Sequence, residues 1–158
     1  MEIERKFLIQ KLEELPFSPF EYPHKELEQG YLCTAPVVRI RREDDDYVLT
    51  YKSKGLMARE EYNLPLTRDS YEHLKEKVDG RIIHKTRYVI PMNCICPENA
   101  DFCFTPLFLE LDIFHDDLAP LILAEIEFPD EETANTYPAP EWLGEDVTFS
   151  SAYHNSTL

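Results

Sequence analysis

Like-charged residues spaced two apart recur along this chain. In Glu2-Ile3-Glu4-Arg5-Lys6, an extended strand puts Glu2, Glu4 and Lys6 on one face, because side chains two apart point the same way. Val38-Arg39-Ile40-Arg41 does this with two cations, and Lys85-Thr86-Arg87-Tyr88 repeats it. Glu110-Leu111-Asp112-Ile113 and Glu125-Ile126-Glu127-Phe128 do it with two acids. Lys52 closes Leu49-Thr50-Tyr51-Lys52, and Arg59 and Glu61 share a face just beyond. A solvated outer sheet face explains any one such segment. It explains less when both signs recur at one spacing. These faces hold Lys6, Arg39, Arg41, Lys52, Arg59, Lys85 and Arg87, seven of the 16 basic residues, in a chain of net charge −15. If they converge, the centre is wet and charged, and each charge must be paired, solvated or ion-bound. Cations of this kind grip phosphate oxygens, and an all-oxygen acid cluster suits Mg²⁺ or Mn²⁺ rather than zinc. The chemistry indicated is a polyphosphate bridged to acids by a divalent metal.

The elements that must carry these residues read mostly as strands with period-two alternation. They are Glu2–Ile9, Val37–Arg42, Tyr47–Ser53, Ala58–Leu66, Arg81–Ile90, Leu107–Phe114 and Leu121–Phe128, with a further strand in Gln29–Cys33. Arg68–Val78 places Tyr71, Leu74 and Val78 at helical spacing, with Thr67 or Asp69 as cap and Gly80 as stop. Asp130–Thr136 and Ser150–Leu158 are further helix candidates. Many strands without regular βαβ spacing predict a mainly β, α+β fold, an antiparallel sheet or barrel with helices packed outside. Ile3, Ile40, Leu111 and Ile126 then face outward and need covering, a role that suits the helix near Leu74.

A chain of 158 residues fits one domain, spanning 1–158. Its acidity predicts repulsion from nucleic acid and anionic membranes. No apolar run approaches a membrane span, and acids occupy the N-terminus where a signal peptide needs positive charge, so the expected compartment is the cytoplasm. Cys94-x-Cys96 with Cys103 is a poor zinc pattern, and these residues and Cys33 read as free thiols. His84 falls on the strand face opposite Lys85, and His24, His73, His115 and His154 suggest no cluster. No GxxxxGK[ST] loop or HExxH motif occurs.

The charged segments also carry a resemblance. Glu2-Ile3-Glu4-Arg5-Lys6 matches the E-x-E-x-K signature of the CYTH family, the triphosphate tunnel metalloenzymes. Gln29-Gly30-Tyr31-Leu32, Val38–Arg42, Leu49–Ser53, Lys85–Tyr88, Glu110–Phe114 and Glu125–Phe128 follow in the family's order. Trp142-Leu143-Gly144, Val147-Thr148, Tyr153 and Asn155 resemble its C-terminal motif. The resemblance implies an eight-stranded antiparallel barrel enclosing a tunnel. The family includes inorganic, thiamine and RNA triphosphatases and class IV adenylyl cyclases, and this chain resembles the short bacterial inorganic triphosphatases most. Carried over, Glu2, Glu4 and Glu127 would hold the principal metal. Glu110, Asp112 and Glu125 would complete the metal set. A second metal, or an acid among Glu61, Glu110, Asp112 and Glu125, would position the attacking water. Lys6, Arg39, Arg41, Lys52, Arg59, Lys85 and Arg87 would grip phosphates. Tyr31 sits in a motif assigned the proton acceptor, although a phenol of pKa about 10 is a poor base at neutral pH.

Two departures from the family pattern stand out. Asn63 occupies the position of a second acid after Glu61, and Phe149-Ser150-Ser151-Ala152-Tyr153 lacks the usual charges before its tyrosine. The expected activity is hydrolysis of tripolyphosphate by a monomer or homodimer. An adenylyl cyclase or thiamine triphosphatase on the same scaffold and a non-catalytic polyphosphate-binding module are the alternatives.

Overall fold

The computed structural model describes residues 2–55, 57–92, 107–154 and 158. Ten strands form a single antiparallel sheet. They are β1 (Glu2–Leu8), β2 (His24–Thr34), β3 (Val37–Glu43), β4 (Asp46–Lys52), β5 (Ala58–Arg59), β6 (Glu61–Pro65), β7 (Asp79–Pro91), β8 (Phe108–Phe114), β9 (Ile122–Glu127) and β10 (Glu145–Asp146). Among the described residues two α-helices accompany them, α1 (Arg68–Lys75) and α2 (Glu131–Thr136). The neighbours run β10-β1-β9-β8-β7-β2-β3-β4-β6, and β5 returns to pair with β1. This curls the sheet into a nearly closed barrel, with β5 and β6 as one broken stave and β10 as a short extra segment.

The break explains how the barrel closes. The expected strand Ala58–Leu66 is interrupted at Glu60. Its first half pairs with β1 (Glu2 opposite Arg59) and its second half with β4 (Lys52 opposite Glu61). β2 begins at His24, earlier than the expected Gln29, because it pairs with both β3 and β7. Register slips on both edges of β2 near Gly30, where an added Cβ would lie 2.7 Å from Val78 Cγ1. A glycine is needed for that close approach.

α1 starts at a capping box, Thr67 Oγ1 accepting from Ser70 N at 3.1 Å and Ser70 Oγ from Thr67 N at 2.9 Å. It ends at Lys75, short of the expected Val78, and Gly80 belongs to β7 instead of stopping the helix. Of the expected C-terminal helix, the described residues form one 3₁₀ turn, Ser151–Tyr153. Cys33 is a half-buried free thiol; Cys94, Cys96, Cys103 and Asn155 lie outside the described residues.

The apolar strand faces do point outward. Ile3, Phe7, Leu109, Leu111, Ala124 and Ile126 form the main core on the outside of the sheet. Its cover differs from the expectation. Ala134 of α2, Tyr137 and Leu143 pack there with Leu12, Phe17 and Tyr22 of the β1–β2 connection. α1 instead lies over β3 and β4, where Tyr71 is fully buried against Tyr47. Arg5, on the outer face of β1, ties this cover down by donating to the carbonyls of Ala134 (3.2 Å) and Tyr137 (2.9 Å) and to Asp146.

Candidate active site

The inward faces of the strands enclose a polar cavity of about 360 Å³. Most of the sequence-predicted site residues line it together: Glu2, Glu4, Lys6, Tyr31, Arg39, Arg41, Lys52, Arg59, Glu61, Arg87, Glu110, Glu125 and Glu127. Register explains the convergence. Glu4 lies opposite Glu127 and Lys6 opposite Glu125 across β1–β9, and Glu110 opposite Glu125 across β8–β9. β3, β4, β5 and β7 supply the facing cations. A second apolar cluster of Tyr31, Ile83, Phe114, Leu123 and Val147, packed against Leu8, Val37 and Tyr153, floors the cavity. The charged residues therefore occupy one end of the bore. Lys6 Nζ ties the floor to the wall, donating to the Tyr153 carbonyl at 3.1 Å while lying 3.6 Å from Glu125.

Lys85 and Asp112 are placed differently. Both are fully buried deeper in the bore, 2.8 Å apart, with Lys85 Nζ 5.2 Å from the centroid of the Phe114 ring in the floor. Asp112 accepts two bonds from Arg87, Nε to Oδ1 at 2.7 Å and Nη2 to Oδ2 at 2.9 Å. Arg87 Nη1 then reaches Glu110 at 2.7 Å. Asp112 is committed to protein cations and Lys85 to Asp112, so neither side chain lines the cavity.

The cation wall is only partly neutralised. Lys52 donates to both oxygens of Glu2, at 2.8 and 3.1 Å. Arg41 donates Nε and Nη2 to the neutral Gln29 Oε1, at 2.9 and 2.7 Å, and Nη1 to Glu43 Oε1 at 3.2 Å. Its pKa falls to about 10, because burial and the charges of Arg39 and Arg87 disfavour another cation there. Arg39 Nη2 reaches Thr50 Oγ1 at 3.3 Å, and its buried Nε has no hydrogen-bond partner among the described residues. Burial raises the Tyr31 phenol, against partial relief from Arg39 and Arg41, so it keeps its proton at neutral pH.

The acids split into two groups. Burial holds Glu4 well above the usual carboxylate range, and the charges of Glu125 and Glu2 push it further. Burial also raises Glu2, Glu110 and Glu127, with Glu2 adding to the rise at Glu127. Glu125 goes the other way: burial opposes its charge, but Lys6, Arg87 and Lys85 outweigh it. Burial likewise opposes the charge of Glu61, yet hydrogen bonds from Glu2 and Asn63 and the charge of Lys52 bring it to about 2.

Among the described residues, no three His, Cys, Asp or Glu side chains converge closely enough to enclose a metal by themselves. The donor chemistry still fits a hard divalent cation. Glu4 and Glu127 are oxygen donors facing each other in register, and Mg²⁺ is commonly held by one or two carboxylates with substrate phosphates and water.

These shifts set a pH dependence. A carboxyl raised in the folded state stabilises the fold below its unfolded pKa, and that contribution is lost as pH climbs through the folded value. A lowered carboxyl stabilises above its unfolded pKa and loses the contribution as pH falls through the folded one. Metal-free protein should therefore gain stability from neutral pH to about pH 5 as Glu2, Glu4, Glu110 and Glu127 take up protons. It should lose stability below about pH 4 as Glu61, Asp112 and Glu125 are protonated. Thermal unfolding in chelator across this range checks it; a monotonic fall from pH 7 would contradict the assignment.

The model of the CYTH domain matches residues 1–117. The chain is also 36% identical to an inorganic triphosphatase of Nitrosomonas europaea, over 99% of this chain and 95% of the relative. The chain belongs to the CYTH family. An inorganic triphosphatase of Acetivibrio thermocellus is 34% identical over 82% of this chain and 77% of its own length. The crystal structure of an inorganic triphosphatase superposes with a TM-score of 0.67 at 33% identity, covering 99% of this chain and 93% of that one.

Within this CYTH barrel, sequence reasoning missed several residues. Gln29, fully buried, supports Arg41. Its place beside Arg41 in the β2–β3 register would have shown this had the pairing been known. Thr50 stands at the β4–β6 rim, opposite the Asn63 that the sequence marked as a departure and that lines the cavity beside Glu61. His154 also lines the cavity, with its pKa lowered by burial and by Lys6. Nothing in the local pattern around His154 marks it, because the C-terminal segment reaches the bore by folding back along β1.

Proposed function

We propose that this CYTH chain hydrolyses inorganic tripolyphosphate to diphosphate and phosphate, with Mg²⁺ or Mn²⁺ as cofactor. The observation that carries this reading is the buried Arg39 guanidinium, its Nε unpartnered, beside an Arg41 that burial and like charge already disfavour. Such a wall calls for a compact polyanion, and a cavity of about 360 Å³ has room for a short phosphate chain. The names of the two curated relatives support the same substrate.

Arg39, Arg41, Arg59, Lys52 and Lys6 orient the phosphates and absorb charge on the departing diphosphate. Glu4 and Glu127, with Glu2, would hold the divalent metal, which supplies charge neutralisation and polarisation of the reacting phosphoryl group. Glu61, ionised at neutral pH, orients the attacking water, whose oxygen forms the new P–O bond as the terminal phosphoanhydride P–O bond breaks. A loose phosphoryl transition state needs position more than a strong base. Tyr31 belongs to the apolar floor, and Asp112 holds Arg87 in place by two hydrogen bonds. Glu110 and Glu125 orient Arg87 and Lys6.

No helix among the described residues is long and apolar enough to cross a membrane. A cytoplasmic location and the absence of a nucleic-acid partner are part of this reading, supported by the free Cys33 thiol and the net charge of −15.

Phosphate release from tripolyphosphate, thiamine triphosphate and ATP, each with Mg²⁺, Mn²⁺ and Ca²⁺, tests it. Tripolyphosphate should be turned over fastest, and chelation should stop the reaction. Cyclic AMP from ATP would favour the cyclase, and binding without release under every metal would favour a non-catalytic module.

A further inference from the structure

A directed chain of hydrogen bonds runs along the β3–β4–β6 rim of the cavity. Arg39 Nη2 donates to Thr50 Oγ1 at 3.3 Å. Thr50 Oγ1 donates to Asn63 Oδ1 at 2.6 Å, and Asn63 Nδ2 donates to Glu61 Oε1 at 3.0 Å. Strand register makes the chain possible. Arg39 lies opposite Thr50 on β3–β4, and Thr50 opposite Asn63 on β4–β6. Glu61 and Asn63, two apart on β6, share its inward face.

Chemistry fixes the direction at both ends. A guanidinium only donates and an ionised carboxylate only accepts. The hydroxyl and the amide between them must therefore each receive on the Arg39 side and donate on the Glu61 side. An amide is suited to position 63. A carboxylate there could accept from Thr50, but it could not donate to Glu61 and would put a like charge beside it. Thr50 is fully buried, so its hydroxyl has no solvent alternative.

We propose that Asn63 is a positioning residue that couples the Glu61 carboxylate, through Thr50, to the phosphate-gripping Arg39. The water-orienting acid is thereby held in register with the bound phosphate. This inference rests on the role of Glu61 in the triphosphatase reading above. It makes Asn63 a cavity-lining residue that sets attack geometry through its hold on Glu61.

The test uses the full chain with three variants and two readouts. Asn63→Asp, an isostere, and Asn63→Ala should each lower kcat for tripolyphosphate by about tenfold while KM stays within about twofold. Thr50→Val, also near-isosteric, should lower kcat in the wild-type background and add little in the Asn63→Ala background, as expected of partners in one network. In the second readout, NMR of the metal-free protein should show the Asn63 side-chain amide away from the free-amide position and returning towards it in Thr50→Val. Wild-type kcat in Asn63→Asp, a change in KM alone, additive effects of Thr50→Val and Asn63→Ala, or a free-amide signal in the wild type would overturn the proposal. Wild type without turnover would instead sink the triphosphatase reading, and the amide signal would still decide whether the coupling exists.

Discussion

Glu4→Gln should cut metal-dependent phosphate release from tripolyphosphate by about 10²- to 10³-fold and raise the thermal midpoint of the metal-free protein. The two effects have one origin. Glu4 is buried opposite Glu127, with Glu125 and Glu2 adding negative charge, so its carboxylate is held well above its ordinary pKa. That arrangement costs stability when no cation is bound and supplies oxygen donors when one is. Glutamine keeps the shape, removes the charge and relieves the repulsion, which favours the empty fold and weakens the metal. Differential scanning in chelator and a phosphate-release assay in Mg²⁺ or Mn²⁺ read the two sides separately. Glu127→Gln should move both in the same directions, with a smaller stability gain, because Glu127 is more exposed. Full activity in both variants would remove these acids from the metal site.

Asp112→Ala should be the most destabilising single change in the bore, by about 3–5 kcal/mol, since it leaves two buried cations without their carboxylate. At this chain length that corresponds to a fall in midpoint on the order of 10 °C. Asp112 is completely buried, holding Lys85 at 2.8 Å and Arg87 by two bonds. Lys85 is depressed to about 7, burial and the charges of Arg87 and Arg41 outweighing the help from Asp112. Without Asp112 it would shed its proton more readily still, which softens the loss by relieving the repulsion between Lys85 and Arg87. Lys85→Met leaves the Asp112–Arg87 pair intact and should cost less. Urea unfolding of both variants measures the difference. Equal, small losses would show that Asp112 is not the keystone of this cluster.

The inverted strands were legible before any coordinates. Ile3, Ile40, Leu111 and Ile126 alternate with Glu4, Arg41, Asp112 and Glu127, and period two assigns each to a face whatever the tertiary structure. The charged inner wall, the acid and cation strands and the mainly β class all followed from that alternation and from the ordered family motifs. Period two carries no information about depth. Arg87 and Lys85 share a face, as do Glu110 and Asp112, yet the first of each pair lines the cavity and the second is sealed beneath it. Depth depends on strand register, on the slip in β2 and on the break at Glu60, all of which arise from pairing between distant segments. The cover over Leu111 and Ile126 was misassigned for the same reason, since an amphipathic helix records that it needs an apolar face but not which one. His154 entered the site through the fold of the C-terminal segment alone. The chain by itself determined which side chains turn toward the bore, because backbone geometry alternates faces locally. Only the folded barrel decided which of them an incoming phosphate can touch, because contact depends on how far along that bore each strand is registered.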